Sequence, residues 1–460
     1  MIKKDAIIIG SGQAGNPLAV KLAESGWKTV LIEKSEAMLG GVCVNVGCTP
    51  SKTLIASAKV MHEINTAKQH GISVENMKIN FSETQKRKDK IVKNSHEGVK
   101  KNLQETKNLE LIIGTASFSG KKKVTVTQEN GEILEFTAPK IFINAGCRPA
   151  VPKIEGLDKV KWFDSTGILA LKEIPEKLII IGSGYIGLEM GQMYSRFGSN
   201  VEIIDQSAQI LDKEDRDIAE NMQEILEEEG ISFYLDAEIK KIESYKKGIR
   251  VSVSQKGKTR QITGSHLLVV TGRKSNADSL ALEKAGIKTD EKNFIKVSPK
   301  LETNVKGIYA LGDIKGGAQF THVAYNDYVI VSDNILGENK ADISNRVIPY
   351  TVFTDPQLGR AGLSEKEARK KKLNYTVVKI AGKRITRGKE SAQTQGLWKA
   401  VVDKDSGRIL GAAVIGTEGG EIASVIQMAM KGKILAKDLK DFMFSHPTYS
   451  ESLNTLFSEL

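Results

Sequence analysis

One nine-residue string constrains this chain more than any other feature. Ile7-Ile8-Ile9-Gly10-Ser11-Gly12-Gln13-Ala14-Gly15 returns 172 residues later as Ile179-Ile180-Ile181-Gly182-Ser183-Gly184-Tyr185-Ile186-Gly187. The same offset carries Gly26 onto Gly198 and Glu33 onto Asp205. In each copy a short apolar strand runs into GxGxxG, an apolar-periodic helix follows, and a second strand ends in an acid. That context turns a weak motif into a dinucleotide fingerprint. The glycines let the backbone approach a pyrophosphate, the helix N-terminus supplies positive potential, and the acid accepts from a ribose hydroxyl. A repeat in register over a whole strand–helix–strand unit implies two dinucleotide sites and therefore two cofactors.

Between the copies lies Gly40-Gly41-Val42-Cys43-Val44-Asn45-Val46-Gly47-Cys48-Thr49-Pro50-Ser51-Lys52, with two of the chain's three cysteines. Cys43 can reach Cys48 if the first sits before a helix and the second in its opening turn, because a disulfide needs Cα atoms about 4.4–6.8 Å apart. A helix N-terminus also lowers a thiol pKa. The competing readings are a pair of buried thiols or half a zinc site. No further cysteine pair exists to complete the usual zinc sets, and no resident metal is expected. Cys147, alone at a strand end, is read as structural.

The 460 residues are too many for one ordinary domain. We expect an α/β chain in four stretches: 1–149 as the first part of one dinucleotide-binding domain, 150–273 as the second dinucleotide-binding domain, 274–345 as the return to the first, and 346–460 as an antiparallel sheet with helices. No apolar run can cross a bilayer, and the run after Met1-Ile2-Lys3-Lys4 leads straight into the first glycine motif. A cytoplasmic protein without a membrane partner is expected, and a disulfide there is catalytic rather than structural. The net charge is +11, but the lysines are scattered and no basic stripe interleaves with aromatics, so no nucleic-acid partner is expected. The histidines His62, His70, His96, His266 and His322 are read as ordinary core or surface residues.

These motifs, with the Gly312-Asp313 strand end and His446-Pro447-Thr448 followed by Glu451, resemble the class I pyridine nucleotide–disulfide oxidoreductases over essentially the whole chain. That family includes dihydrolipoamide dehydrogenase, glutathione reductase and mercuric reductase. The resemblance implies two Rossmann-like domains, for FAD and NAD, and a C-terminal α+β dimerisation domain. Gly10, Gly12, Gly15, Glu33, Gly41, Gly114, Gly146 and Asp313 would hold FAD, with Lys52 beside its reactive edge and paired with Glu189. Gly182, Gly184, Tyr185, Gly187, Asp205 and Gly272 would hold the nicotinamide cofactor. His446, oriented by Glu451, would come from the other subunit of a homodimer as the acid–base. Cys48 would give the thiolate facing the flavin, and Cys43 the thiol that attacks substrate.

Asp205 can accept from a ribose 2′-OH and repels a 2′-phosphate, and neither Gln206 nor Ser207 supplies an arginine in its place; NADH is expected over NADPH. Phe444 stands where lipoamide dehydrogenases usually carry a second histidine, and Thr49 replaces their usual isoleucine. The wording of the cysteine segment is closer to mercuric reductase. The chain nevertheless ends Phe457-Ser458-Glu459-Leu460 with no cysteine after Cys147, and it carries no N-terminal metal-binding module. It therefore looks most like mercuric-reductase-like flavoproteins without tail thiols, among them bacterial copper-reducing flavoproteins of reactive-chlorine defence. The expected electron acceptor is a small disulfide or a soft metal ion, for which thiolates are suited. A lipoamide-oxidising subunit of a multienzyme complex and a redox-sensing flavoprotein with little turnover are the alternatives.

Overall fold

The computed structural model describes residues 1–337 and 340–460. Contacts divide the chain into two units. The first gathers Met1–Thr53, Lys86–Ala150 and Gly272–Arg346; the second gathers Leu54–Gln85, Val151–Thr271 and Val347–Leu460.

The first unit is built on a five-stranded parallel sheet in the order Ile308–Ala310, Lys140–Ile143, Ala6–Ile9, Thr29–Glu33, Leu109–Ile113. Its central strands read as unbroken apolar runs because both faces are covered. Ile7 and Ile9 face a core shared with Phe118, Val124, Val126 and Phe136 of an antiparallel meander. Ile8 faces the opposite core, with Leu18 and Leu22 of the helix Gly15–Glu24.

The second unit repeats this logic. A parallel sheet orders Ser232–Tyr234, Asn200–Ile204, Lys177–Ile181 and His266–Val269. Ile179 and Ile181 pack on Val251, Val253 and Ile262 of a second antiparallel meander, and Ile180 packs toward the helices with Leu188 and Met222. The two copies of the sequence repeat are thus copies of one packing arrangement. The same unit holds a five-stranded antiparallel sheet, Pro349–Val352, Gln357–Gly362, Ile409–Gly416, Leu397–Asp403 and Tyr375–Ala381, covered by the helix Gly419–Lys431. The fold is therefore α/β, with two Rossmann-like sheets and a C-terminal antiparallel domain.

Lys258–Gly264 completes the second meander, and Gln357–Gly362 lies inside the C-terminal sheet, between Pro349–Val352 and Ile409–Gly416. The segment Gly359-Arg360-Ala361-Gly362 has no β-branched residue. Its glycines instead allow a close approach: a Cβ on Gly359 would come within 2.0 Å of the Gly419 carbonyl oxygen.

Candidate active site

The first glycine loop is shaped by steric closure. Gly10 has φ +103°, and a Cβ there would lie 2.4 Å from the Asn144 carbonyl oxygen; one on Gly15 would lie 2.0 Å from that of Gly10. Side chains are therefore excluded, and the loop stays within reach of a pyrophosphate. Asn144, which sequence reasoning missed, locks the loop from the neighbouring strand. Its Oδ1 accepts from Gly15 N at 2.9 Å, and its Nδ2 donates to the Leu311 carbonyl at 2.9 Å. At the end of the second strand Glu33 Oε2 accepts from Ser11 N at 2.8 Å. Burial pushes the Glu33 carboxyl up, and the backbone amides of Ser11, Ser35 and Lys34 counter it. Gly114 donates its N–H to the Glu33 carbonyl at 2.8 Å, which places it beside this acid.

The cysteine segment is fastened to this loop. Gly40 N donates to Ser11 Oγ at 3.2 Å, and Gln13 Nε2 donates to the Gly40 carbonyl at 3.1 Å. Gly41, with φ +71°, packs so closely that a Cβ would sit 2.9 Å from Gly12 Cα. Cys43 lies in its own short helix, Gly41–Asn45, ahead of the helix that Cys48 opens. Cys48 opens the helix Cys48–Thr66, as its spacing implied. Cys43 is half-buried and Cys48 exposed. The Cys43 thiol is held well above the ordinary thiol range, first by its hydrogen bond with Cys48 and then by burial; the Thr321 hydroxyl and the Lys52 charge oppose this. Thr321 Oγ1 also lies 3.5 Å from Cys48 Sγ. One hydroxyl at the start of the helix Thr321–Leu336 thus touches both sulfurs.

Asp313 lies in the turn after Ile308–Ala310, ion-paired with Arg273 at 3.1 Å. Burial raises its carboxyl, and Arg273 and Lys315 counter that. Gly312 N donates to Asp327 Oδ2 at 2.8 Å; Asp327 is fully buried between Lys315 (3.3 Å) and Arg346 (2.7 Å), so the turn is pinned from below. Gly146 takes φ +64° with open space before it. Cys147 is a buried thiol pushed up to about 12, chiefly by burial, in keeping with its structural reading.

In the second unit Gly182 (φ +113°) and Gly187 repeat the closure, the latter with its Cβ position 2.0 Å from the Gly182 carbonyl oxygen. Gly184 faces open space. Asp205 Oδ2 accepts from Ser183 N at 2.7 Å and Ser183 Oγ at 2.8 Å, and Oδ1 accepts from Ser207 N at 2.8 Å. Tyr185 opens the helix Tyr185–Arg196, and Gly272 takes φ +154° just after the strand His266–Val269. Glu189, buried on that helix, accepts from Phe353 N at 2.9 Å. His446 is exposed, and its Nδ1 lies 2.8 Å from Glu451 Oε2.

Both glycine cradles are bare enough to admit a nucleotide pyrophosphate, and each has a carboxylate bonded to its loop, Glu33 on Ser11 N and Asp205 on Ser183 N. Residues 4–327 match the pyridine nucleotide-disulphide oxidoreductases, and residues 348–457 match their dimerisation domain. The chain belongs to this family of flavin-dependent enzymes. It is 38% identical over 460 residues to the probable pyridine nucleotide-disulfide oxidoreductase RclA of Escherichia coli (strain K12), covering 100% of this chain and 99% of RclA. Mercuric reductase of Lysinibacillus sphaericus is 33% identical over 449 residues (98% and 81% covered), and dihydrolipoyl dehydrogenase of Buchnera aphidicola subsp. Baizongia pistaciae 34% over 457 (98% and 95%). The solved structure described as the Cu(II) complex of the HOCl-induced flavoprotein disulfide reductase RclA from Escherichia coli superposes with a TM-score of 0.91 at 37% identity, covering 100% of this chain and 99% of that one. No helix among the described residues is long and apolar enough to cross a membrane.

Proposed function

We propose that this protein is a cytoplasmic, homodimeric NADH-dependent reductase that passes electrons through FAD and Cys43–Cys48 to a thiol-binding metal ion, Cu(II) or Hg(II). The observation that carries this reading is the pair of thiols itself. Two sulfurs in hydrogen-bond contact, one half-buried and one exposed, sit on a loop pinned to the first glycine cradle. The Cu(II) complex of the related RclA and the likeness to mercuric reductase support a metal ion as acceptor.

Gly10, Gly12, Gly15, Gly41, Glu33 and Asp313 hold FAD in this reading, with Lys52 beside its reactive edge and Glu189 as the partner of Lys52. Bound there, FAD would supply the two-electron chemistry that links hydride transfer from the nicotinamide to reduction of the Cys43–Cys48 disulfide. Gly182, Gly184, Gly187 and Asp205 bind NADH, Tyr185 gates its nicotinamide end, and Asp205 disfavours a 2′-phosphate. Cys43 keeps its proton against Cys48, so Cys48 is the thiolate of the reduced pair and Cys43 needs a base. His446 of the second subunit, held through Nδ1 by Glu451, takes that proton at Nε2. Two Cu(II) ions then accept one electron each, the S–S bond re-forms, and the sum is NADH + 2 Cu(II) → NAD⁺ + 2 Cu(I) + H⁺.

The test is to titrate the purified protein with NADH under argon and offer Cu(II), Hg(II), lipoamide and glutathione disulfide in turn. NADH oxidation with a metal ion and little with either disulfide is expected. Rapid lipoamide turnover with none on metal ions contradicts the proposal.

A further inference from the structure

The cysteine loop is held from its far side by a helix that the reaction scheme does not use. His96 and Lys100 lie one turn apart on the helix Phe81–Glu105 and so share a face. Lys100 forms an ion pair with Glu36, and His96 Nδ1 lies 3.1 Å from Asn45 Oδ1. The segment Glu36–Asn45, which carries Cys43, is therefore gripped at both ends.

Asn45 is fully committed. Its Nδ2 donates one proton to the Leu39 carbonyl at 2.8 Å and the other to the Gly41 carbonyl at 2.9 Å. An amide oxygen only accepts, so the group facing it must donate. The proton of a neutral His96 ring is thereby assigned to Nδ1, and a charged ring donates equally well.

We infer that His96 is a positioning residue for the redox pair. By donating to Asn45 it fixes the Gly41–Asn45 turn, and that turn holds the Cys43 sulfur against Cys48. Loosening the turn lowers the effective concentration of one sulfur at the other and so disfavours the disulfide. The inference rests on the proposal that Cys43 and Cys48 cycle between dithiol and disulfide.

The test equilibrates the full-length, FAD-loaded protein with dithiothreitol redox buffers and counts the Cys43 and Cys48 thiols by alkylation and mass spectrometry. His96→Asp sets an acceptor against Asn45 Oδ1. It is expected to shift the equilibrium toward the dithiol by about threefold to tenfold, the range for one lost hydrogen bond. His96→Asn puts an amide nitrogen where Nδ1 stood and is expected to stay within about twofold of the unsubstituted protein. Equal shifts in both variants, or none in either, overturn the inference. A second measurement needs no variant. Nitrogen-15 spectra of the histidine-labelled protein must show the His96 ring protonated at Nδ1, and a ring protonated only at Nε2 overturns it. If the unsubstituted protein forms no Cys43–Cys48 disulfide on oxidation, the proposed function has failed, while the spectra still decide the His96 contact.

Discussion

The two glycine units share the pattern Ile-Ile-Ile-Gly-Ser-Gly-x-x-Gly and the same packing arrangement, yet they are finished differently. In the first, a Cβ on Gly10 would meet the carbonyl of Asn144; in the second, one on Gly182 would meet that of Val270. Asn144 and Val270 therefore occupy equivalent places. The asparagine reaches into the loop and bonds Gly15 N, and a Cβ on Gly12 would come within 2.6 Å of its Oδ1. Gly41 then covers Gly12 from the cysteine segment. At Val270 no such amide exists, and Gly184 faces open space. The first cradle is locked from two sides; the second is left open at its middle glycine. The difference suits the proposed occupants: a flavin that stays through many turnovers, and a nicotinamide cofactor that must leave after each.

The sharpest way to break this comparison is to add one methyl group to each middle glycine. Gly12→Ala is expected to cost the protein its bound flavin, read as loss of the yellow absorbance after purification. Gly184→Ala keeps the flavin and the melting temperature and raises KM for NADH instead. Equal flavin loss in both would erase the distinction.

A second, smaller effect concerns the acid of the open cradle. Asp205 is held by Ser183 and Ser207 in a fixed orientation. We expect kcat/KM to favour NADH over NADPH by about tenfold or more, and Asp205→Ser to narrow the ratio to about threefold. Comparable use of both nucleotides by the unsubstituted protein contradicts the role given to Asp205.

A further variant makes the first unit resemble the second. Asn144→Val removes the donor to Leu311 and the acceptor from Gly15. It leaves a buried N–H unpartnered, a cost of about 1–3 kcal/mol, measured as lower thermal stability and faster flavin release. Thr321→Val removes the hydroxyl shared by the two sulfurs. Alkylation of the reduced pair at pH 8 should fall about threefold to tenfold, since a hydroxyl bonded to a thiolate favours it by about one hydrogen bond.

The sequence made one layer of this structure legible and hid another. Glycine positions were readable because their reason is steric and local: Gly15 must be bare for its own helix to approach Gly10. The strand-ending acids and the opening turn at Cys48 follow from the same short-range logic. Asn144, Thr321, Arg273 and His96 were not assigned roles, because each acts on a partner brought near only by the fold. His96 is 51 residues from Asn45, and Thr321 is 273 from Cys48. The strand Gln357–Gly362 escaped for a related reason. Its place is set by close backbone packing against Gly419 and not by an apolar alternation along its length.

The central claim is that electrons entering at the open cradle leave through the sulfurs on the locked one. It is tested most directly by adding one equivalent of NADH per subunit to the oxidised protein under argon and mapping the thiols that become alkylatable. The account predicts that Cys43 and Cys48 both appear and Cys147 does not change. NADH oxidation that leaves the thiol count unchanged contradicts it.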